Sequence, residues 1–176
     1  MKRAYLLTAV AVVMAAAPAA VHAEEALGDF PTYFWEKSDC VNPPPGPAIH
    51  IKLSDVKNGE GNIRISLYNM TDKEFLKGGK KIARIDVRAH EGDMDICLPL
   101  PRTGDFSMGI LHDEDADGHL DVFSEGYGFP NNPRLLFSPP DAEEASFSVR
   151  DGETVTLPIT MKYVYPKQNN RGPRHH

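Results

Sequence analysis

The chain has 176 residues, of which 41% are hydrophobic, and a formal net charge of −6 at pH 7. An acidic chain repels the phosphates of nucleic acids and anionic lipids, so the composition disfavours both as partners. A chain of this length is expected to form one domain with enough apolar content to bury a core.

The N-terminus has the pattern of a secretory signal peptide. Lys2 and Arg3 precede an apolar run from Ala4 to about Ala20, and Val21-His22-Ala23 fits a small-x-small cleavage site. We therefore predict that residues 1–23 are removed on export and that the mature protein is periplasmic or secreted. A retained membrane anchor is the alternative, but the Ala-rich run is short for a spanning helix. No later stretch is apolar enough to cross a bilayer, so no membrane span is expected in the mature chain.

The two cysteines of the chain are Cys40 and Cys97. In an exported protein an even pair predicts a disulfide, and two free buried thiols are the alternative. The bond would join the sheet to residues 24–47, which we predict to be an irregular lead-in. That segment carries the aromatic run Tyr33-Phe34-Trp35 and a proline-rich stretch, and prolines cannot enter a central strand.

Seven segments of the chain alternate apolar and polar residues with a period of two. They lie at residues 49–53, 63–67, 84–88, 94–98, 106–110, 147–149 and 155–163, and turns containing Gly or Pro separate them. No convincing helical pattern occurs. The alternation predicts an all-β fold over residues 48–165, an antiparallel β-sandwich of the Ig-like or transthyretin-like kind with about seven strands. Residues 166–176 are polar and basic and are predicted to form a disordered tail.

An acidic loop follows the strand at 106–110. Asp113, Asp115 and Asp117 recur at every second position, and Gly118 allows a sharp turn, as in the first half of an EF-hand loop. The flanks are strand-like, so we predict an EF-like calcium loop mounted between strands. Its predicted ligands are the side chains of Asp113, Asp115 and Asp117, the carbonyl of His119, and Asp121 or Glu125 to complete the shell.

Two alternatives to calcium remain at this loop. Asp and Gly are favoured in turns, so an acidic surface turn without an ion would have a similar sequence. His112 and His119 would suit zinc, although the set is mostly oxygen and zinc prefers nitrogen and sulfur.

The segment from Phe106 to Asn132 carries a more specific motif. It contains Ile110-Leu111-His112-Asp113, Asp117-Gly118 and Glu125-Gly126-Tyr127-Gly128-Phe129, and in these it resembles the DUF2141 family of secreted bacterial proteins. The resemblance extends over about residues 48–164. The link from Asp121 to Ser124 is shorter than in the family and lacks its Gly-Ile-Pro. The family is of unknown function, so the resemblance implies an exported β-sandwich and no particular activity.

Two functions fit these features. The first is a non-enzymatic, monomeric module of the cell envelope, stabilised by calcium, that binds an envelope protein or a glycan through a surface at His112, Tyr127 and Phe129. The second is an envelope hydrolase using the loop carboxylates with His112 as acid and base. The sequence has no nucleophile elbow and no His-Glu-x-x-His motif, which favours the first function.

Overall fold

The computed structural model describes residues 32–35, 40, 46–119, 121, 123–135 and 138–164. The predicted signal peptide, most of the lead-in and the predicted tail lie outside these residues. The described part of the chain contains ten strands: β1 (Thr32–Trp35), β2 (Ala48–Val56), β3 (Asn62–Asn69), β4 (Ala83–Arg88), β5 (Gly92–Pro99), β6 (Gly104–Asp113), β7 (Gly126–Gly128), β8 (Ser146–Val149), β9 (Thr154–Thr160) and β10 (Lys162–Tyr163). No helix long and apolar enough to cross a lipid bilayer occurs in it.

The strands form two sheets that pack face to face. The larger sheet has the order β1-β4-β3-β6-β7-β10, with β8 paired to β6, and the smaller one has the order β5-β2-β9. Between them, every second residue of β2 is fully buried (Ile49, Ile51 and Leu53), against Ile63 and Ile65 of β3 among others. Full burial of one such side chain contributes about 1.5–3 kcal/mol, so this apolar layer holds the sheets together. The predicted all-β sandwich is confirmed.

The seven predicted strands correspond to β2 to β6, β8 and β9. The last predicted run, residues 155–163, is divided between the two sheets. β9 pairs with β2 in the small sheet, whereas β10 pairs with β7 in the large one. The Met161 N–H donates to the Ser54 carbonyl at 2.9 Å where the chain crosses over. The period-two alternation continues through Met161, where the chain passes from the small sheet to the large one. Alternation alone therefore did not reveal the change of sheet.

The prediction of an irregular lead-in was wrong at Thr32–Trp35. This segment forms β1, which pairs in parallel with β4 at the edge of the large sheet, with Tyr33 opposite Ile85. Thr, Tyr, Phe and Trp all favour extended backbone, and the prolines on either side, Pro31 and Pro43, lie outside the strand. A second parallel pair joins β2 to β9, so the sandwich is mixed rather than purely antiparallel.

Both faces of β3 are covered, although its alternation predicted one exposed face. All six central residues of the strand, including Arg64, Ser66 and Tyr68, are buried. Two parts of the chain, residues 70–81 and the described residues 129–135 and 138–145, lie over the outer face of the large sheet. There the rings of Tyr68 and Phe75 pack edge to face at 5.6 Å, and those of Phe75 and Phe129 at 6.2 Å. These contacts form a second, smaller apolar cluster outside the main core.

Cys40 and Cys97 form a disulfide, with their Cα atoms 5.2 Å apart. Cys97 lies in β5 of the small sheet. The bond therefore attaches residue 40 to that sheet, as the cysteine pattern predicted.

Candidate functional site

The acidic loop begins at the end of the longest strand. β6 has ten residues, of which the last eight pair with β3, and it ends at Asp113, which lies opposite Asn62 in the ladder. The chain returns to the same sheet at Gly126, the first residue of β7. Since Asp113 still belongs to the ladder, its side chain is fully buried, whereas Asp115 and Asp117 are exposed.

Three of the predicted ligands come together in this loop. One carboxylate oxygen from each of Asp113, Asp115 and Asp117 lies within 4.8 Å of the others. Asp115 Oδ1 accepts a hydrogen bond from the Asp117 N–H at 3.1 Å, and Asp117 Oδ1 accepts one from the His119 N–H at 2.7 Å. Because calcium binds oxygen at about 2.3–2.6 Å, oxygens at this spacing can share one ion.

The two oxygens of Asp113 have different surroundings. Oδ2 pairs with Arg64 Nη2 and accepts the Gly118 N–H at 3.2 Å. Oδ1 is buried and has no hydrogen-bond partner among the described residues. A buried carboxylate oxygen left without a donor or a cation is costly, and such atoms are rare in native proteins.

Glu125 closes the loop through two backbone bonds. Its Oε1 accepts the Glu114 N–H at 3.2 Å, and its Oε2 accepts the Asp121 N–H at 2.9 Å. Burial raises the pKa of the Glu125 carboxyl, and the Asp121 N–H partly offsets that rise. The Asp121 carboxylate accepts the Phe123 N–H at 2.9 Å, and this bond lowers its pKa. The carboxylates of Asp121 and Glu125 therefore do not belong to the group of three. Glu125 instead links the two ends of the loop by hydrogen bonds to their backbone.

A cleft of about 490 Å³ lies over the outer face of the large sheet beside this loop. Tyr127 and Phe129, predicted as a binding surface, both line it. Arg64 and Tyr68 line it as well. They are four residues apart on the outer face of β3, Arg64 near the start of the strand and Tyr68 near its end. Arg64 therefore touches the acidic loop and the cleft.

A family model described as an uncharacterized protein conserved in bacteria, DUF2141, matches residues 51–156. The chain belongs to this family. The DUF2141 match runs from Ile51 in β2 to Thr156 in β9 and includes the whole acidic loop. No curated protein matches the chain, and no solved structure does. The family description names no activity, so a function has to be argued from the site.

The prediction that His112 lies on a binding surface was wrong for this DUF2141 protein. His112 is fully buried, because alternate residues of β6 point into the sandwich. Its Nδ1 lies 2.8 Å from the Tyr163 hydroxyl, and its Nε2 lies 2.9 Å from the Glu60 carbonyl. Burial lowers the pKa of His112, although the Glu60 carbonyl partly opposes that change. With both ring nitrogens engaged, His112 is not placed to bind zinc or to transfer protons to a substrate.

The sequence did not single out Arg64, which lines the cleft together with Lys81. Arg64, Ser66 and Tyr68 occupy alternate positions of β3 and so share one face. The alternation was visible in the sequence, but this face of β3 was interpreted as exposed to solvent. The alternation did not show that residues 70–81, 129–135 and 138–145 cover this face.

Proposed function

We propose that this DUF2141 protein is an exported, non-enzymatic binding module of the cell envelope whose acidic loop holds one calcium ion. The observation that carries the proposal is the buried, unpartnered Oδ1 of Asp113. It belongs to a carboxylate grouped with those of Asp115 and Asp117. A hard cation would satisfy that oxygen and offset the repulsion among three acids.

The surroundings of the loop suit a modest affinity. Arg64 already balances part of the charge of Asp113 through Oδ2. The three grouped carboxylates supply fewer ligands than the six to eight oxygens that calcium takes, so water and the His119 carbonyl would complete the shell. Such incomplete protein shells are typical of extracellular sites with dissociation constants of roughly 10⁻⁴ to 10⁻³ M.

Export and a partner in the envelope are parts of the same proposal. The signal-peptide pattern at residues 1–23 supports export, and the Cys40–Cys97 disulfide agrees with an oxidising compartment. The cleft beside the loop offers a concave surface at which a monomer would bind a ligand of the envelope.

A calcium titration with thermal melting tests the proposal. Binding to the folded state alone adds about 2.7 kcal/mol when free calcium exceeds the dissociation constant a hundredfold, or roughly 5–10 °C in melting temperature. Asp115→Asn should abolish most of this rise, because it removes a charge but keeps the Oδ1 that accepts the Asp117 N–H. The control Asp141→Asn changes an exposed acid before β8 and should leave the rise intact. Equal melting temperatures of the wild type in chelator and in calcium at a hundredfold the expected dissociation constant, roughly 10–100 mM, would refute the calcium site.

A further inference from the structure

We propose that the cleft over the outer face of the large sheet binds a small organic acid, a carboxylate joined to an apolar body the size of one or two rings. This site is separate from the acidic loop, and the proposal does not require calcium.

The dimensions of the cleft suit a small molecule. Its volume of about 490 Å³ falls within the range of small-molecule pockets. The outer face of β3 and β6 forms one wall, where Gly109 lies opposite Ser66. A Cβ added to Gly109 would lie 3.2 Å from Leu76 Cδ2 and 3.5 Å from Phe129 Cε1. The absence of a side chain at Gly109 therefore keeps space between the sheet and the segments that cover it.

The lining provides apolar surface for the body of the ligand. Tyr68, Tyr127 and Phe129 contribute aromatic rings, and those of Tyr127 and Phe129 lie 6.2 Å apart at a tilt of 46°. Aliphatic residues such as Leu76 and Leu111 complete it. A glycan would need many hydrogen-bonding side chains, whereas this lining favours a ring or a short hydrocarbon.

Arg64 offers a donor to the carboxylate. Its side chain is only 6% exposed, Nε donates to Asp86 at 3.2 Å, and Nη2 pairs with Asp113. Nη1 makes no hydrogen bond to any described residue. A buried guanidinium with an unpaired N–H group lining a cleft is suited to a carboxylate, which would accept a charge-assisted hydrogen bond from it.

Lys81 adds a second positive charge to the lining. It is half-buried, and its pKa is lowered by burial and by the neighbouring Arg84 and Arg64, while Asp86 opposes that effect. Arg64 and Arg84 both contact Asp86, and Arg64 also pairs with Asp113. Two lining residues, Arg64 and Lys81, therefore offer positive charge to an anionic ligand.

The test compares two probes of the same shape, 2-naphthoate and its uncharged amide 2-naphthamide, by calorimetry on the full chain. Chelator is present so that no metal bridges a probe to the acidic loop. We expect naphthoate to bind about tenfold more tightly than the amide, because only the carboxylate pairs with the cations. Lys81→Met should remove most of this difference, while Lys77→Met, which changes an exposed lysine of the same segment outside the cleft, should keep it.

A second variant tests the location. Gly109→Ala should weaken both probes alike, since its methyl group takes up space in the cleft without changing any charge. The proposal is overturned if naphthoate shows no binding at millimolar concentration or binds no more tightly than the amide. It is also overturned if naphthoate binds equally well to the wild type, Lys81→Met and Gly109→Ala.

Discussion

Arg64 Nη2 donates to Asp113 Oδ2, and this buried pair joins the cleft to the acidic loop. The guanidinium also contacts Asp86, which in turn receives two hydrogen bonds from Arg84 Nε at 3.1 Å. Four charged side chains from β3, β4 and β6 thus form one network across the outer face of the large sheet. A change at any one of them alters the charge balance of both candidate sites.

Replacing Arg64 by Met should be strongly destabilising. The change leaves the fully buried Asp113 carboxylate without its cation, and breaking a buried pair in this way costs about 3–5 kcal/mol. Unfolding in urea measures the loss. The control Arg150→Met removes an exposed arginine and should cost no more than about 0.5 kcal/mol. A loss below about 1 kcal/mol for Arg64→Met would show that Asp113 does not depend on this partner.

Gly61 has no room for a side chain. Its φ is +59°, and an added Cβ would lie 1.9 Å from the Asp113 carbonyl oxygen and 2.6 Å from that of Glu114. Because backbone cannot move aside cheaply, Gly61→Ala should cost about 3 kcal/mol or more in the free energy of unfolding. Gly79 is the matched control, with a φ of +69° and no atom within 4 Å of the added Cβ. Gly79→Ala should cost only the conformational strain, about 1 kcal/mol. Similar losses for the two variants would contradict this close packing of Gly61 against the start of the acidic loop.

Tyr163 should make the protein sensitive to alkali. Burial raises the pKa of its hydroxyl from 10.0 to about 12. The hydrogen bond that the hydroxyl accepts from the Lys57 backbone N–H at 3.0 Å partly offsets that rise. A raised pKa means that the folded state holds the proton more strongly than the unfolded state does. The protonated Tyr163 hydroxyl therefore contributes fully to the free energy of unfolding below pH 10, and this contribution is lost as the pH rises through 12. Stability measured against pH should therefore fall less steeply between pH 10 and pH 12 in Tyr163→Phe than in the wild type. Parallel profiles would show that the Tyr163 hydroxyl is not linked to folding.

The disulfide should contribute substantially to stability. Cys40 and Cys97 are 57 residues apart, and closing a loop of that length stabilises the fold by about 4 kcal/mol through the entropy of the unfolded chain. The double variant Cys40→Ser/Cys97→Ser should therefore unfold at lower denaturant concentration, and reduction of the wild type should have the same effect. Mass spectrometry of the unreduced protein should find it lighter than the reduced form by the mass of two hydrogen atoms. Alkylation of both thiols without reductant would exclude the bond.

Local patterns were enough to predict most of the sandwich and part of the candidate site. Alternation located seven strands because apolar residues at every second position face the core, and the spacing of Asp113, Asp115 and Asp117 was enough to group their carboxylates. His112 was misjudged because its place next to the acids in the sequence does not show that alternate β6 residues face the core. The partners of Arg64 come from two neighbouring strands, and no local pattern indicates pairing across strands.

The pairing of β2 with β9 has a consequence for the order of folding. Ser54 on β2 donates to the Thr160 hydroxyl at 3.2 Å across 106 residues of sequence, and β9 covers the edge of β2 that β5 leaves open. Contacts this distant form slowly, since much of the chain must be ordered before they close. A nascent chain that ends before Thr154 would expose one edge of β2, and exposed edges promote pairing with other chains. We therefore expect chains truncated at residue 150 to aggregate and to be digested by protease, whereas chains that include Thr160 become resistant.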